Sequence, residues 1–344
     1  MKRSPSCGAR LAAAAASLLV LAASCADPLE AGSEWTPSDV FNADDYARMT
    51  KQAGISFRIL QVADVHLDDP QSDDARALRI IQDAVQRDRP DLIVLTGDNI
   101  FNQASNYAPA VRLIHFLDTL ETPYALVLGN HDGQGVFNNE KITEIYSAGK
   151  NALFTRGPSN IPGCGNYGIN LVDEAGNILY AFVCIDSNKH RYILGYDCIY
   201  PQQIAWYEWY IEGISAARRA QDPAAAVVKS LAFFHIPLPE IDDARRQLKA
   251  EDPAGERFAF RENPTPPKVN SGMFQKMKAL QSTTHIFNGH DHVNVLDYVY
   301  QGIHFVYGLK TGPNGYHDED RMGTTLITIN NDLSVQVYFN YAGE

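Results

Sequence analysis

Residues 57–66, Phe57-Arg58-Ile59-Leu60-Gln61-Val62-Ala63-Asp64-Val65-His66, set the pattern of the chain. A short apolar, β-prone run stops at an Asp-x-His pair. Helical spacing follows over residues 73–89, with Ala77, Ile80, Ile81, Ala84 and Val85 on one face before Pro90. The run 92–96 ends in Gly97-Asp98, a second helical stretch covers 108–120, and the run 124–128 ends in Gly129-Asn130-His131-Asp132. Strand, helix, strand, helix, strand is the sequence form of βαβ units. In such sheets ligands gather beyond the carboxyl ends of the strands, where every polar motif so far falls.

Beyond residue 150 the pattern changes. Residues 178–185 read as a strand, 202–220 as a helix rich in Trp and Tyr, and 230–234 as a strand ending at His235. Residues 237–269 are charged and Pro-rich and read as a long surface loop. The run 284–287 leads into Gly289-His290-Asp291-His292, and β-rich runs follow near 303–307, 324–329 and 334–339. The expected fold is mixed α/β: a two-sheet β-sandwich flanked by helices. With no internal linker, residues 55–344 read as one domain, and 26–54 as a tether and approach segment.

The first 25 residues stand apart. Lys2, Arg3 and Arg10 precede an apolar run over 11–23 and then small residues, the layout of a secretory signal. Leu21-Ala22-Ala23-Ser24-Cys25 resembles a bacterial lipobox, with Ala22 where leucine is more usual; cleavage near Ala26 is the alternative. The expectation is export, with membrane attachment only through a lipid on Cys25. Removing residues 1–25 takes three basic groups and no acid from a chain of net charge −12, leaving −15. That balance argues against a nucleic-acid binder, which needs a basic footprint. Of the three remaining cysteines, Cys184 reads as a buried thiol. Cys164 and Cys198 lie in loops where export would permit a bridge.

Asp64, His66, Asp98, Asn130, His131, His235, His290 and His292 all follow expected strands. Carboxylate, amide oxygen and imidazole suit hard or borderline metal ions. Residues two apart in an extended segment point the same way, so Asp-x-His and His-x-His pairs can serve one centre. Asp64-Val65-His66, Gly97-Asp98-Asn99, Gly129-Asn130-His131-Asp132, His235 and Gly289-His290-Asp291-His292 resemble, in order, the five-block signature of calcineurin-like metallophosphoesterases. Phe234-His235-Ile236-Pro237-Leu238-Pro239-Glu240 and Gly315-Tyr316-His317 add a likeness to the small, purple-acid-phosphatase-like branch. One position departs: Phe101 stands where the purple enzymes carry a tyrosine that ligates iron and gives the colour.

The resemblance implies one metal ion on Asp64, His66, Asp98 and His292, and a second on Asp98, Asn130, His235 and His290, with Asp98 bridging. The ions would be divalent or trivalent Fe, Mn or Zn. It implies hydrolysis of phosphate esters by a metal-activated hydroxide, with His131 stabilising the transition state or protonating the leaving oxygen. Asp132 and Asp291 are candidates to orient imidazoles. The expected substrate is a small phosphorylated molecule and the expected activity a phosphomonoesterase. Phosphodiesterase action at the same site, or a non-catalytic surface lipoprotein keeping the fold, are the alternatives. His115, His190, His285 and His304 read as structural, His317 as a loop residue that either contacts substrate or merely turns, and the aromatic run 206–210 as helix-face packing.

Overall fold

Two β-sheets pack face to face between helices in the computed structural model, which describes residues 33–343 apart from 69–71, 102–103, 192–194 and 252–257. The leader and Cys25 lie outside the described residues. The first sheet runs in the order Val335–Tyr341, Gly323–Ile329, Phe57–Val62, Leu92–Thr96, Tyr124–Val127. Its last three strands are parallel, joined by helices Ser72–Asp88 and Tyr107–Thr119 as the βαβ reading predicts. The second sheet has eight strands: Ala47–Thr50, Tyr167–Val172, Ile178–Cys184, Lys229–Phe233, Thr283–Asn288, Ile303–Tyr307, Val295–Tyr300 and Phe258–Ala259. Within it Ile178–Cys184, Lys229–Phe233 and Thr283–Asn288 are mutually parallel neighbours. Part of segment 26–54 is thus built into this sheet as an edge strand parallel to Tyr167–Val172.

Alternation of side chains splits the eight-stranded sheet between two cores. Tyr180, Phe182, Cys184, Leu231, Phe233, Phe287 and Val306 face the first sheet. Ala181, Val183, Ala232, Phe234, Ile286 and Phe305 face outward onto helices Pro201–Gln221, Ile241–Glu251 and Met273–Leu280. Period-two alternation with both faces covered is what a sandwich strand requires. The aromatic run behaves as helix-face packing: Trp206, Tyr207 and Tyr210 are buried, while Trp209 meets Trp35 and Phe41 edge-on.

Two expectations are corrected. Residues 237–269 contain helix Ile241–Glu251 and the short strand Phe258–Ala259. Ile241, Ala244 and Leu248 form a buried stripe of helical spacing that the surrounding charges mask in the sequence. Cys164 and Cys198 do not bridge: all three described cysteines are free, and Cys184 is buried as expected. No helix among the described residues is long and apolar enough to cross a membrane.

Candidate metal centre

The loops that follow the parallel strands are zipped together before any side chain acts. Asp64 N–H donates to Gly97 O (3.2 Å), His66 N–H to Asp98 O (2.9 Å), and Leu67 N–H to Asn99 O (3.0 Å). Asp64, His66, Asp98 and His290 all have left-handed backbones, with φ of 52°, 52°, 49° and 80°. Such conformations cost non-glycine residues about 1 kcal/mol or more each and collect at functional sites. They turn four side chains inward within very little chain. Gly97, at φ 92°, allows a close approach: a β-carbon there would stand 2.7 Å from the His235 ring.

Ligand atoms of Asp64, His66, Asp98 and His292 lie within 4.8 Å of one another, a set able to hold a metal ion. The Asp98 Oδ2 atom is the hub. His235 Nε2 lies 3.2 Å from it, His66 Nε2 3.4 Å and His131 Nε2 3.9 Å. His292 Nε2 lies 3.5 Å from Asp64 Oδ1, and His290 Nδ1 lies 3.3 Å from His235 Nε2. Asn130 sits between Gly129, which packs on Asp98, and His131, whose N–H donates to Asp98 Oδ1 at 2.7 Å. The structure therefore gathers the other six predicted residues around Asp64 and Asp98.

Hydrogen bonding around the imidazoles fits metal ligation. His235 Nδ1 and His292 Nδ1 face the carbonyl oxygens of Thr96 and Tyr316, each at 2.9 Å. A carbonyl can only accept, so both Nδ1 atoms carry hydrogen, and in the neutral rings the Nε2 lone pairs face carboxylates. A lone pair against a carboxylate oxygen at 3.2–3.5 Å is repulsive unless a cation or proton intervenes. Both nitrogens of His66, Nε2 of His290 and Oδ1 of Asn130 are buried with no hydrogen-bond partner among the described residues. Orphaned buried polar atoms of this kind are costly unless something satisfies them, and a metal ion can take the lone pairs among them.

Charge effects run the same way. Burial raises both carboxyls, but the surrounding histidines overcome it and hold Asp64 and Asp98 well below the usual carboxylate range. Burial pushes His66 and His290 down to about 3. At His235 burial is outweighed by Asp98, which lifts the ring to about 9 when no other cation is present.

The orienting partners differ from expectation. Asp132 accepts from Gly129 N (2.7 Å), Asn99 N (3.2 Å) and Tyr146 OH (2.7 Å). Asp291 accepts from Thr265 Oγ1 (2.6 Å) and Tyr307 OH (2.5 Å). Among the described contacts neither carboxylate holds an imidazole; they brace the ligand loops, and backbone carbonyls orient the rings.

Two neighbours, Lys310 and Tyr196, escaped the sequence reading. Lys310, buried, forms an isolated bridge with Ala63 and donates from Nζ to Asp64 O at 3.1 Å; burial lowers its ammonium to about 8. Tyr316 stacks on His292 (4.2 Å, 27°), and Tyr196 meets His290 edge-on (4.3 Å, 89°). The loop containing 315–316 does close over the centre, but His317 itself contacts Gly315 O and Glu319. His115 and His190 are exposed, while His285 and His304 stack together in the sheet.

A family model described as calcineurin-like phosphoesterase matches residues 57–294. Two Arabidopsis thaliana proteins named probable inactive purple acid phosphatase 28 and 29 are 30% and 27% identical. They align with 76% and 78% of this chain and 71% and 74% of their own lengths. Phosphatase DCR2 of Saccharomyces cerevisiae is 28% identical over 69% of this chain and 44% of its own. Among solved structures, a dimetal phosphatase from Danio rerio superposes with TM-score 0.50 at 14% identity, covering 83% of this chain and 99% of that one. The GAP50 anchor of the Plasmodium inner membrane complex gives 0.51 at 13%, covering 84% and 85%.

Proposed function

Because the chain belongs to the calcineurin-like phosphoesterase family, we propose that it is an exported phosphatase that hydrolyses small phosphate monoesters at a two-metal centre. Asp64, His66, Asp98 and His292 would hold one ion, and Asp98, Asn130, His235 and His290 the other. The observation that carries this reading is the position of Asp98 Oδ2 between the Nε2 atoms of His66 and His235, at 3.4 and 3.2 Å. One carboxylate facing ligands of both sets is the arrangement a shared bridge requires. When bound, the ions supply Lewis acidity, drawing charge from phosphoryl oxygens and making a water acidic enough to attack near neutral pH.

The remaining work falls to the chain. His131 is the most accessible of the site's imidazoles, with 27% of its side chain exposed, so its Nε2 can meet a substrate. Its Nδ1 lies 2.8 Å from Gln134 Oε1; donating a proton there fixes the ring and turns Nε2 toward the reaction. Protonated at Nε2, His131 can stabilise the oxyanion or deliver a proton to the leaving oxygen. Tyr316 and Tyr196 wall the two ends and limit water around the rings they touch. Export rests on the basic and apolar leader at 1–25, and lipid anchoring on Cys25.

The Arabidopsis relatives carry the word inactive in their names, which keeps a non-catalytic reading alive. The intact Asp98, Asn130, His131 and His292 set weighs for the enzyme. Elemental analysis of natively purified protein, followed by turnover of phenyl phosphate and diphenyl phosphate, separates the readings. The expected result is two ions per chain and faster cleavage of the monoester. Faster diester cleavage would convert the assignment to a phosphodiesterase. Metal-replete protein silent on both esters would sink it.

A further inference from the structure

A cavity of about 350 Å³ opens beside the metal centre, between residues 156–164, the segment after strand Ile178–Cys184, and the start of helix Asn139–Ser147. It lies beyond the carboxyl end of the strand next to Lys229–Phe233, the strand that delivers His235. The link is physical: Ile236 N–H, next to His235, donates to Ser187 Oγ, next to Asp186 of the cavity wall, at 3.0 Å. On the far side Asp197 lines the cavity while its neighbour Tyr196 touches His290.

The wall is stiff. Asp186 accepts from Cys164 N and Asn188 N, each at 2.8 Å. Asn188 Nδ2 donates to Cys198 O (2.9 Å) and Gln203 Oε1 (3.0 Å), and Gln203 Nε2 donates to Asp186 O (2.7 Å). Two cations complete it: Arg156, bonded to the Cys164 thiol, and Lys189, whose charge acts on the Asp186 carboxyl without closing to an ion pair among the described residues. The acids nearby are differently placed. Asp186 is satisfied by backbone N–H groups, Asp197 by Tyr200 OH (2.9 Å) and Arg191 (3.7 Å), and Glu140 sits on the exposed first turn of its helix.

We propose that this cavity receives a second anionic group on the leaving-group side of the substrate, held by Arg156 and Lys189. The preferred substrates are then phosphomonoesters whose alcohol carries a carboxylate or another phosphate. The inference rests on the phosphoesterase reading for its chemistry, but the cavity and the two cations that line it stand on their own geometry. A planar guanidinium with a nearby ammonium suits either anion.

The test compares 4-carboxyphenyl phosphate with phenyl phosphate, in the native enzyme and in the Arg156→Gln, Lys189→Gln double variant. Calorimetric binding of 4-carboxyphenylphosphonate and phenylphosphonate runs alongside. The native protein should favour the carboxylated partner about fivefold to tenfold in KM and Kd, less at high salt, and the double variant should reduce both ratios to about one. The salt dependence in native protein provides the readout should the double variant fold poorly. Turnover of both esters with equal KM would overturn the cavity assignment and leave the phosphatase reading standing. Preferential binding that needs Arg156 and Lys189, without turnover of either ester, would uphold the cavity and remove the catalytic reading. Neither binding preference nor turnover would overturn both.

Discussion

Phe101 lies face to face with His66, ring centroids 5.0 Å apart and planes 11° from parallel, and meets His131 edge-on at 4.8 Å. An apolar ring thus buttresses one candidate ligand and the candidate proton donor together. It also places a hydrocarbon edge where a phenol would offer oxygen. The iron-reconstituted protein should therefore lack the visible tyrosinate band, and Phe101→Leu should lower turnover by misaligning His66 and His131. An absorption spectrum with a strong purple band in the native protein would contradict this account.

His131→Ala should cut turnover about a hundredfold or more while two ions remain bound, because its imidazole touches Asp98 only at 3.9 Å. Asp98→Ala should do the opposite in kind, stripping both ions as well as activity. Metal content measured beside kcat separates the two roles. Loss of metal from the His131 variant would make that residue a ligand.

Gly97→Ala should destabilise the fold by about 1–3 kcal/mol and disturb metal uptake. The left-handed backbone at φ 92° and the His235 ring 2.7 Å from the new methyl both oppose it. A denaturation midpoint equal to that of the native protein would show that the loop yields more freely than its contacts imply.

Far from the centre, burial lowers His285 to about 3, with the stacked His304 ring 4.0 Å away adding to the effect and Asp297 opposing it. Its Nδ1 meets Thr284 Oγ1 at 2.9 Å, and Nε2 is buried without a hydrogen-bond partner among the described residues. The unfolded chain takes up this proton near pH 6.5, well before the folded one does. Stability is therefore full above that pH and drains as pH falls toward 3, by about 2 kcal/mol between pH 7 and 5. His285→Phe should flatten that slope in urea titrations at the two pH values; an unchanged slope would assign the acid sensitivity elsewhere.

What could be read in the sequence was what is written locally. The strands before Asp64, Asp98, Asn130, His235 and His290 are short apolar runs closed by glycine and polar residues, and each signal lies within ten residues. Strand Tyr167–Val172 was hidden because Gly168 and Asn170 interrupt its apolar run, yet Asn170 is buried and accepts from Tyr210 OH at 2.7 Å. Helix Asn139–Ser147 was equally quiet, although Asn138 caps it through Lys141 N at 3.1 Å. Tyr196 and Lys310 matter only through partners scores of positions away, which no local pattern encodes. The supposed roles of Asp132 and Asp291 failed for a related reason: closeness in sequence to a histidine says nothing of which carbonyl its ring will face.

Asp64 and Asp98 belong to loops of the five-stranded sheet, while His235, His290 and His292 hang from the eight-stranded one. The two layers already meet through polar stitches, with His290 N–H on the Asp64 carboxylate at 3.1 Å and Gln61 Nε2 on Asn288 O at 3.0 Å. Ions seated there would rivet one layer to the other, so the reaction centre doubles as a clasp on the sandwich. Chelation should then loosen the seam as well as silence chemistry, lowering Tm by an amount that grows with the affinity of the ion removed.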